Sequence, residues 1–352
     1  MNLPNLRYVS FSMWFATWFL LLSQVPVLAN PYSAAVVLEK DTPEQREAAF
    51  KDALALVLVK VTGNRNVVGD SSVVDIIDEA PRYVQGFRFE ELDQQQMIRV
   101  NFDPRAVEQV VSNRGLPVWG SERPSVLLWL AVDNRRGQRF IMSATDNESD
   151  EEEDIESRLK DEIRMVADER GLPLMLPLYD AEDQNALSFA DVWGGFDEAV
   201  EIASQRYQSD AVLVGRARTR GSSWEVRWTL FDANGRQAWV GGFADGIHQT
   251  ADSYAQAFAV LKTEGEVTLI VDQVTSFQAY GELLSHLRAL SVVEQVDLQQ
   301  ALDDTLTFRL RLKGDTDVLQ RAIRLGGKLE ELSQEVPTQT LGPLALRYQL
   351  RP

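Results

Sequence analysis

Apolar positions recur along this chain with three different periods, and each change of period marks an element. Phe11 to Leu22 is a nearly unbroken apolar run close to the N-terminus. Phe50, Ala53, Leu54, Val57, Leu58 and Val61 then fall three and four residues apart, as on a helix with one apolar face. That helix opens at Thr42-Pro43-Glu44-Gln45, where Thr42 can cap, Pro43 suits the first turn and Gln45 can complete a capping box. Gly63 stops it. A strand over Tyr32 to Glu39 precedes it, and a short helix from about Ser72 to Ala80 follows, ended by Pro81. Phe87 and Phe89, then Ile98, Val100 and Phe102, alternate with polar residues and predict a hairpin with one buried face. Asp103-Pro104 opens a helix through about Asn113.

Ser125 to Val132 is apolar at almost every position, the pattern of a strand buried on both faces. Beyond it the chain predicts a helix to about Arg170, a short strand over Leu174 to Leu178, and a helix from Phe196 to Tyr207. Three strands come next, then a helix from Ala251 to Lys262. Hairpin turns at Gly221-Ser222 and Asn234-Gly235 place Trp224, Val226, Trp228 and Leu230 on one face. Leu213, Gly215 and Ala217 lie on one side of that row, Trp239 and Gly241 on the other. Gly215 and Gly241 are then expected to flank the Trp228 ring, which makes this face core. Arg216, Arg218 and Arg220 share the opposite face.

The last segment reads strand (Val267 to Val271), helix (Ser276 to Leu290), strand (Val292 to Leu298), strand (Leu306 to Leu312), helix (Thr316 to Arg324), strand (Lys328 to Leu332). This is the ferredoxin-like βαββαβ order, with Leu344, Leu346 and Tyr348 available for one more strand. The expected fold class is therefore α+β and multidomain. A small βααββα N-terminal domain occupies 30–114, and a linker 115–124. An α/β middle domain with an antiparallel β-meander and an acidic loop at 146–156 occupies 125–264. The ferredoxin-like domain occupies 265–352.

The N-terminal run changes the picture. Arg7 is the one charged side chain before it, and Val27-Leu28-Ala29 follows it as a cleavage-like site. Residues 1–29 therefore read as a secretory signal peptide cut after Ala29. The alternative is an uncleaved helix anchored in the inner membrane, since Val9 to Ala29 is long enough to span. Ser23, Gln24 and Pro26 favour cleavage. The chain has no cysteine, which excludes disulfides and thiolate chemistry. Its net charge of −18 disfavours nucleic acid and anionic membrane surfaces as partners. The acidic excess is concentrated in 124–264, where Asp146 to Glu156 holds eight acidic residues in eleven.

Several blocks carry a family likeness. Ala53 to Arg65 contains Val-Thr-Gly-Asn, Tyr83 to Phe89 reads YVQGFRF, Leu116 to Gly120 reads LPVWG, and Arg123 to Leu130 reads RPSVLLWL. With Asp210 to Arg216, Trp224 and Trp228, these resemble the DUF2066 family, uncharacterised exported proteins of gammaproteobacteria, over nearly the whole mature chain. The resemblance implies a periplasmic address and brings no catalytic or binding residues.

Candidate chemistry is sparse. After residue 29 the histidines are His248 and His286, in different segments, and neither has further ligands at metal-site spacing. No nucleophile elbow, dinucleotide turn or P-loop occurs. No catalytic residue, metal or cofactor is expected. The most pointed polar cluster is the arginine face. Arg218 is expected to pair with Glu225, while Arg216 faces Arg227 and needs an anion or a carboxylate between them, for which Asp146 to Glu156 is one source. Trp119, in the linker, is expected to lock two domains together rather than stack on a sugar. Arg216, Arg218, Arg220, Arg227 and Trp119 form the candidate interaction surface. The sequence thus predicts a non-enzymatic binding or accessory scaffold of the periplasmic cell envelope with protein partners there. The alternative is a carboxylate-dependent hydrolase acting on cell-wall glycan or peptide.

Overall fold

The computed structural model describes residues 30–92, 95–134, 138–145, 153–221, 223–260, 265–332 and 345–351. Residues 1–29, which the sequence reads as a signal peptide, residues 146–152 of the acidic run, Ser222 and Leu344 lie outside them. The described residues form an α+β, multidomain fold around three sheets.

The first unit comprises β1 (Ser33–Val37), α1 (Pro43–Thr62), α2 (Val74–Asp78), β2 (Val84–Leu92), β3 (Gln95–Phe102) and α3 (Pro104–Asn113). Its antiparallel sheet has the order β1-β3-β2. α1 starts where its sequence says, with Thr42 Oγ1 accepting from the Gln45 N–H at 3.3 Å. The Gln45 side chain reaches back to the Lys40 N–H at 2.7 Å, two residues beyond a standard capping box. Gly63, at φ 69°, ends the helix in a left-handed turn. Ala53, Leu54, Val57, Leu58 and Val61 are buried in one cluster with Ile98, Val100 and Phe102. Phe87 and Phe89 stay 41% and 45% exposed because β2 is an edge strand.

The second unit has three layers. Its strands are β4 (Val126–Asp133), β5 (Arg139–Ile141), β6 (Leu174–Met175), β7 (Ala211–Arg220), β8 (Ser223–Asp232) and β9 (Gly235–Gly241). Its helices are α4 (Glu153–Arg170), α5 (Ala181–Ala186), α6 (Phe189–Gly194), α7 (Asp197–Ser204) and α8 (Phe243–Phe258). The sheet order is β5-β4-β7-β8-β9, with β6 also on β4. β4 is buried on both faces, as its apolar run requires. Leu128, Leu130 and Val132 pack with α4 and α8. Leu127, Trp129 and Ala131 pack with residues of the α5 to α7 layer.

The β7–β8 register sets Gly215 opposite Trp228, Arg216 opposite Arg227 and Arg218 opposite Glu225, as expected. β9 differs: Trp228 faces Trp239, and Gly241 faces Val226. Asp232 Oδ1 accepts from the Asn234 N–H at 2.8 Å, which centres the turn on Ala233-Asn234. The resulting slip of two residues leaves every side chain on its expected face. The second glycine against the Trp228 ring is Gly246 of α8, whose added Cβ would stand 2.3 Å from Trp228 Cε2. α8 itself begins at Phe243 rather than Ala251, with Asp245 Oδ2 accepting from the Gly242 N–H at 2.7 Å. The short helices α5 and α6 were not expected; Asp180 and Ser188 cap them.

The third unit contains β10 (Gly265–Asp272), α9 (Phe277–Ala289), β11 (Val293–Leu302), β12 (Thr305–Leu312), α10 (Thr316–Gly326), β13 (Leu329–Glu331) and β14 (Ala345–Leu350). The βαββαβ order is present, with the additional strand taken into the middle of the sheet. β14 runs parallel to β10 and separates it from β13. Leu346 and Tyr348 give β14 a buried face suited to an inner position, while β13 spans only three residues at the edge.

The two histidines set an acid limit on stability. Burial lowers the pKa of His286 on α9, and the Lys328 charge adds to this. Burial likewise lowers that of His248, helped by Arg65 and Arg170. The unfolded chain therefore takes up protons first as pH falls past about 6.5. Their contribution is complete above that value and is lost as pH falls toward the lower folded-state values. Thermal melts should show Tm falling between pH 7.5 and 5.5, and the fall should shrink in the His248→Gln/His286→Gln double variant.

Candidate functional site

Within residues 115–124, side chains and backbone groups contact all three units. The Trp119 N–H donates to the Val61 carbonyl of α1 at 2.6 Å. Val118 forms an antiparallel bridge with Val260. Glu122 accepts from the Ser291 N–H at 2.9 Å and from its hydroxyl at 2.5 Å. Trp119 is fully buried in the core of the second unit, so its ring is not presented to solvent for a sugar.

Arg123 organises this junction. It is 6% exposed, lies 3.9 Å from the Trp119 ring centroid, and donates to five carbonyls at 2.8–3.1 Å. They belong to Lys60, Trp119, Gly120, Arg170 and Gly171. Lys60, Arg170 and Gly171 lie at the C-terminal ends of α1 and α4, where the helix dipole favours a cation. Burial pushes the Arg123 guanidinium down to about 9, which leaves it charged at neutral pH. Arg170 Nη2 reaches the Gly63 carbonyl at 2.8 Å and Asp252 of α8 at 2.6 Å. Lys60 Nζ reaches the Ser33 carbonyl at 3.0 Å and Asp168 of α4 at 3.2 Å. Three buried cations thus fasten α1 to α4 and α8.

Beside this joint a cleft of about 670 Å³ separates the first sheet from α4. Period-two alternation turns Ser33, Arg88, Arg99 and Asn101 away from α1 and into it. Ile163, Arg164 and Asp168 of α4, with Leu172, Leu174 and Leu176, form the other wall. Arg88 and Arg99 stand directly opposite each other on β2 and β3. Glu90 accepts from both Nε atoms, at 2.7 and 2.8 Å. The Arg99 and Arg88 hydrogen bonds hold the Glu90 carboxyl below its usual range. The terminal nitrogens of the two guanidinium groups make no hydrogen bond among the described residues, and Arg164 makes no ion pair there. Asp168 is committed to Lys60. The Ser33 hydroxyl is buried without a partner, on a residue 5% exposed.

Arg88 and Arg99 alternate with Phe87, Phe89, Ile98 and Val100, which puts them on the outer face of the hairpin. Their side of the sheet was legible; the wall opposite, built from α4 and β6 some seventy residues later, was not.

The arginine face forms as its register requires. Glu225 accepts from Arg218 Nε at 3.0 Å, also from Arg218 Nη2, and from Arg220 Nη1 at 2.6 Å. Arg216 is half-buried against Gly195, with Nη2 3.4 Å from Thr229 Oγ1, and burial lowers its pKa. The carboxylate that acts on Arg216 is Asp197, at the start of α7, which makes no ion pair with Arg227 among the described residues. It pairs with Arg236 at 3.1 Å and acts favourably on Arg216. The described end of the acidic run sits across the sheet: Glu156 is buried on α4, where its carboxylate accepts from the Ser143 N–H at 3.3 Å. Asp197→Asn should therefore cost up to about 1 kcal/mol in urea unfolding, the scale of an exposed ion-pair cluster. Adding Arg227→Gln should return part of it.

A second cleft, of about 960 Å³, lies between α3 and the third unit. Within it Glu108 accepts from the Tyr32 hydroxyl at 2.6 Å and pairs with Lys313 at 3.4 Å. Among the described residues no group of three or more metal-type side chains is placed to hold an ion, and no helix is long and apolar enough to cross a membrane.

A family model described as a domain of unknown function (DUF8605) matches residues 27–120. This is a different family from DUF2066, and the resemblance read from the sequence is corrected accordingly. The Val61-to-Asn64 and Leu116-to-Gly120 blocks both lie inside the match. The first ends α1 in a glycine turn, and the second packs the junction, so they record local backbone requirements that unrelated chains can share. No curated protein and no solved structure matches the chain.

Proposed function

We propose that the protein is a non-enzymatic binding or accessory protein of the cell envelope, exported to the periplasm with loss of residues 1–29. The supporting observation is the junction. Arg123, Arg170 and Lys60 hold the first two units at a set distance, and the space left between them is a preformed cleft lined by arginines in a chain of net charge −18. A preformed cleft reduces the ordering cost of binding. In this reading the units supply rigid walls, and recognition is carried by surface side chains.

The test is site-specific photocrosslinking in intact cells, with the crosslinker at Arg164, at Arg227 and at the remote exposed Phe277. A discrete, reproducible adduct from one of the first two positions and none from Phe277 is expected, together with a mature N-terminus at Asn30. Release of soluble fragments from purified cell wall by the protein would overturn the reading in favour of a hydrolase.

A further inference from the structure

We propose that the cleft between the first sheet and α4 binds an extended peptide segment of a protein partner in which acidic and apolar residues alternate. This rests on the binding reading above and names its ligand. The two walls differ in chemistry. The sheet wall presents Arg88, Arg99 and Asn101, and the facing wall presents Leu174 and Leu176 beside Arg164. An extended chain turns successive side chains to opposite sides, so acidic residues meet one wall while apolar residues meet the other.

The charges select the sign and the number of groups. Arg88 and Arg99 share a single carboxylate, Glu90, and Arg164 adds a further cation from the other wall. Incoming carboxylates can take the terminal guanidinium nitrogens in paired hydrogen bonds. The two arginines of the sheet wall, with Arg164 adding to the positive potential of the cleft, call for more than one anionic group, which a single-headed amphiphile does not carry. The Ser33 hydroxyl, buried and unpartnered at the cleft, offers a donor to a carboxylate or a peptide carbonyl. A volume of about 670 Å³ lies within the range of ligand sites.

The probe is a fluorescein-labelled, capped hexapeptide of alternating Glu and Leu, titrated with the whole purified protein and followed by anisotropy. Saturable binding is expected, weakened about tenfold or more by Arg88→Gln/Arg164→Gln and similarly by raising salt to about 0.5 M. Peptides alternating Lys with Leu, or Glu with Ser, should bind markedly less. Arg88 and Arg164 are exposed, so the variant should keep the parent Tm. Absence of saturable binding, or equal affinity in the arginine variant, overturns the assignment. Crosslinks in cells from Arg227 but not Arg164, alongside a failed titration, sink the cleft while the envelope-binding reading stands. Fragment release from cell wall sinks that reading whatever the peptide does.

Discussion

Gly246→Ala should lower stability by about 2–3 kcal/mol, reversing the sign such a change ordinarily has inside a helix. Replacing a helical glycine with alanine normally stabilises by about 1 kcal/mol. Here the new methyl would stand 2.3 Å from Trp228 Cε2 and 2.5 Å from Cζ2. Trp228 has little room to retreat. It is 1% exposed, its Nε1 donates to the Gly242 carbonyl at 3.0 Å, and its ring also closes on Gly215 from the neighbouring strand. Overpacking of this kind costs about 1–3 kcal/mol, and the lost indole hydrogen bond adds to it. Urea unfolding would measure the loss. Trp228→Phe should be less harmful in the Gly246→Ala background than alone, because the smaller ring makes space for the methyl. Equal penalties in both backgrounds would show that the ring is not what limits residue 246.

Arg123→Met should be at least as damaging, by about 3–5 kcal/mol, because it leaves several buried carbonyls without a donor. Methionine fills much of the volume and keeps apolar contact with Trp119, so the loss reports the five hydrogen bonds together with the cation–π contact. Without them the Lys60, Arg170 and Gly171 carbonyls at two helix ends lose their common donor. Each buried acceptor left unpaired costs about 1–3 kcal/mol, partly relieved by entering water. Arg123→Lys should recover only part of the stability, since an ammonium carries three donors and no planar fork. The readout is calorimetry together with limited proteolysis at the junction. A single two-state transition at nearly the parent Tm would show that the units are held together by other contacts.

Much of the local structure was legible in the chain. Thr42-Pro43 and Gly63 bracket α1, the apolar run of β4 announces its burial on both faces, and the Arg216–Arg227 and Arg218–Glu225 pairings follow from one hairpin turn. Errors arose where a short polar contact competed with the pattern. The Asp232 side chain moved the next turn by one residue and hence the β9 register by two. Gly242 and Asp245 started α8 at Phe243, and its buried stripe runs from Phe243 and Ile247 rather than from Ala251. β14, the longer strand, lies beside β10, and the three-residue β13 takes the edge.

The sequence by itself determined most of the long elements and the inward face of each, the absence of thiol chemistry and the acidic balance, because these depend on residue type and spacing over a few turns. The partners of Arg123 and Trp119, the carboxylate near Arg216 and the wall opposite Arg88 and Arg99 were decided by tertiary structure alone. Arg123 caps helices that end at residues 62 and 170, Asp197 reaches the arginine face from a helix before β7, and α4 closes the cleft from the second unit. Periodicity reports which side of an element is turned inward or outward. What meets that side is set by packing between segments far apart in the chain, and a local pattern carries no record of it.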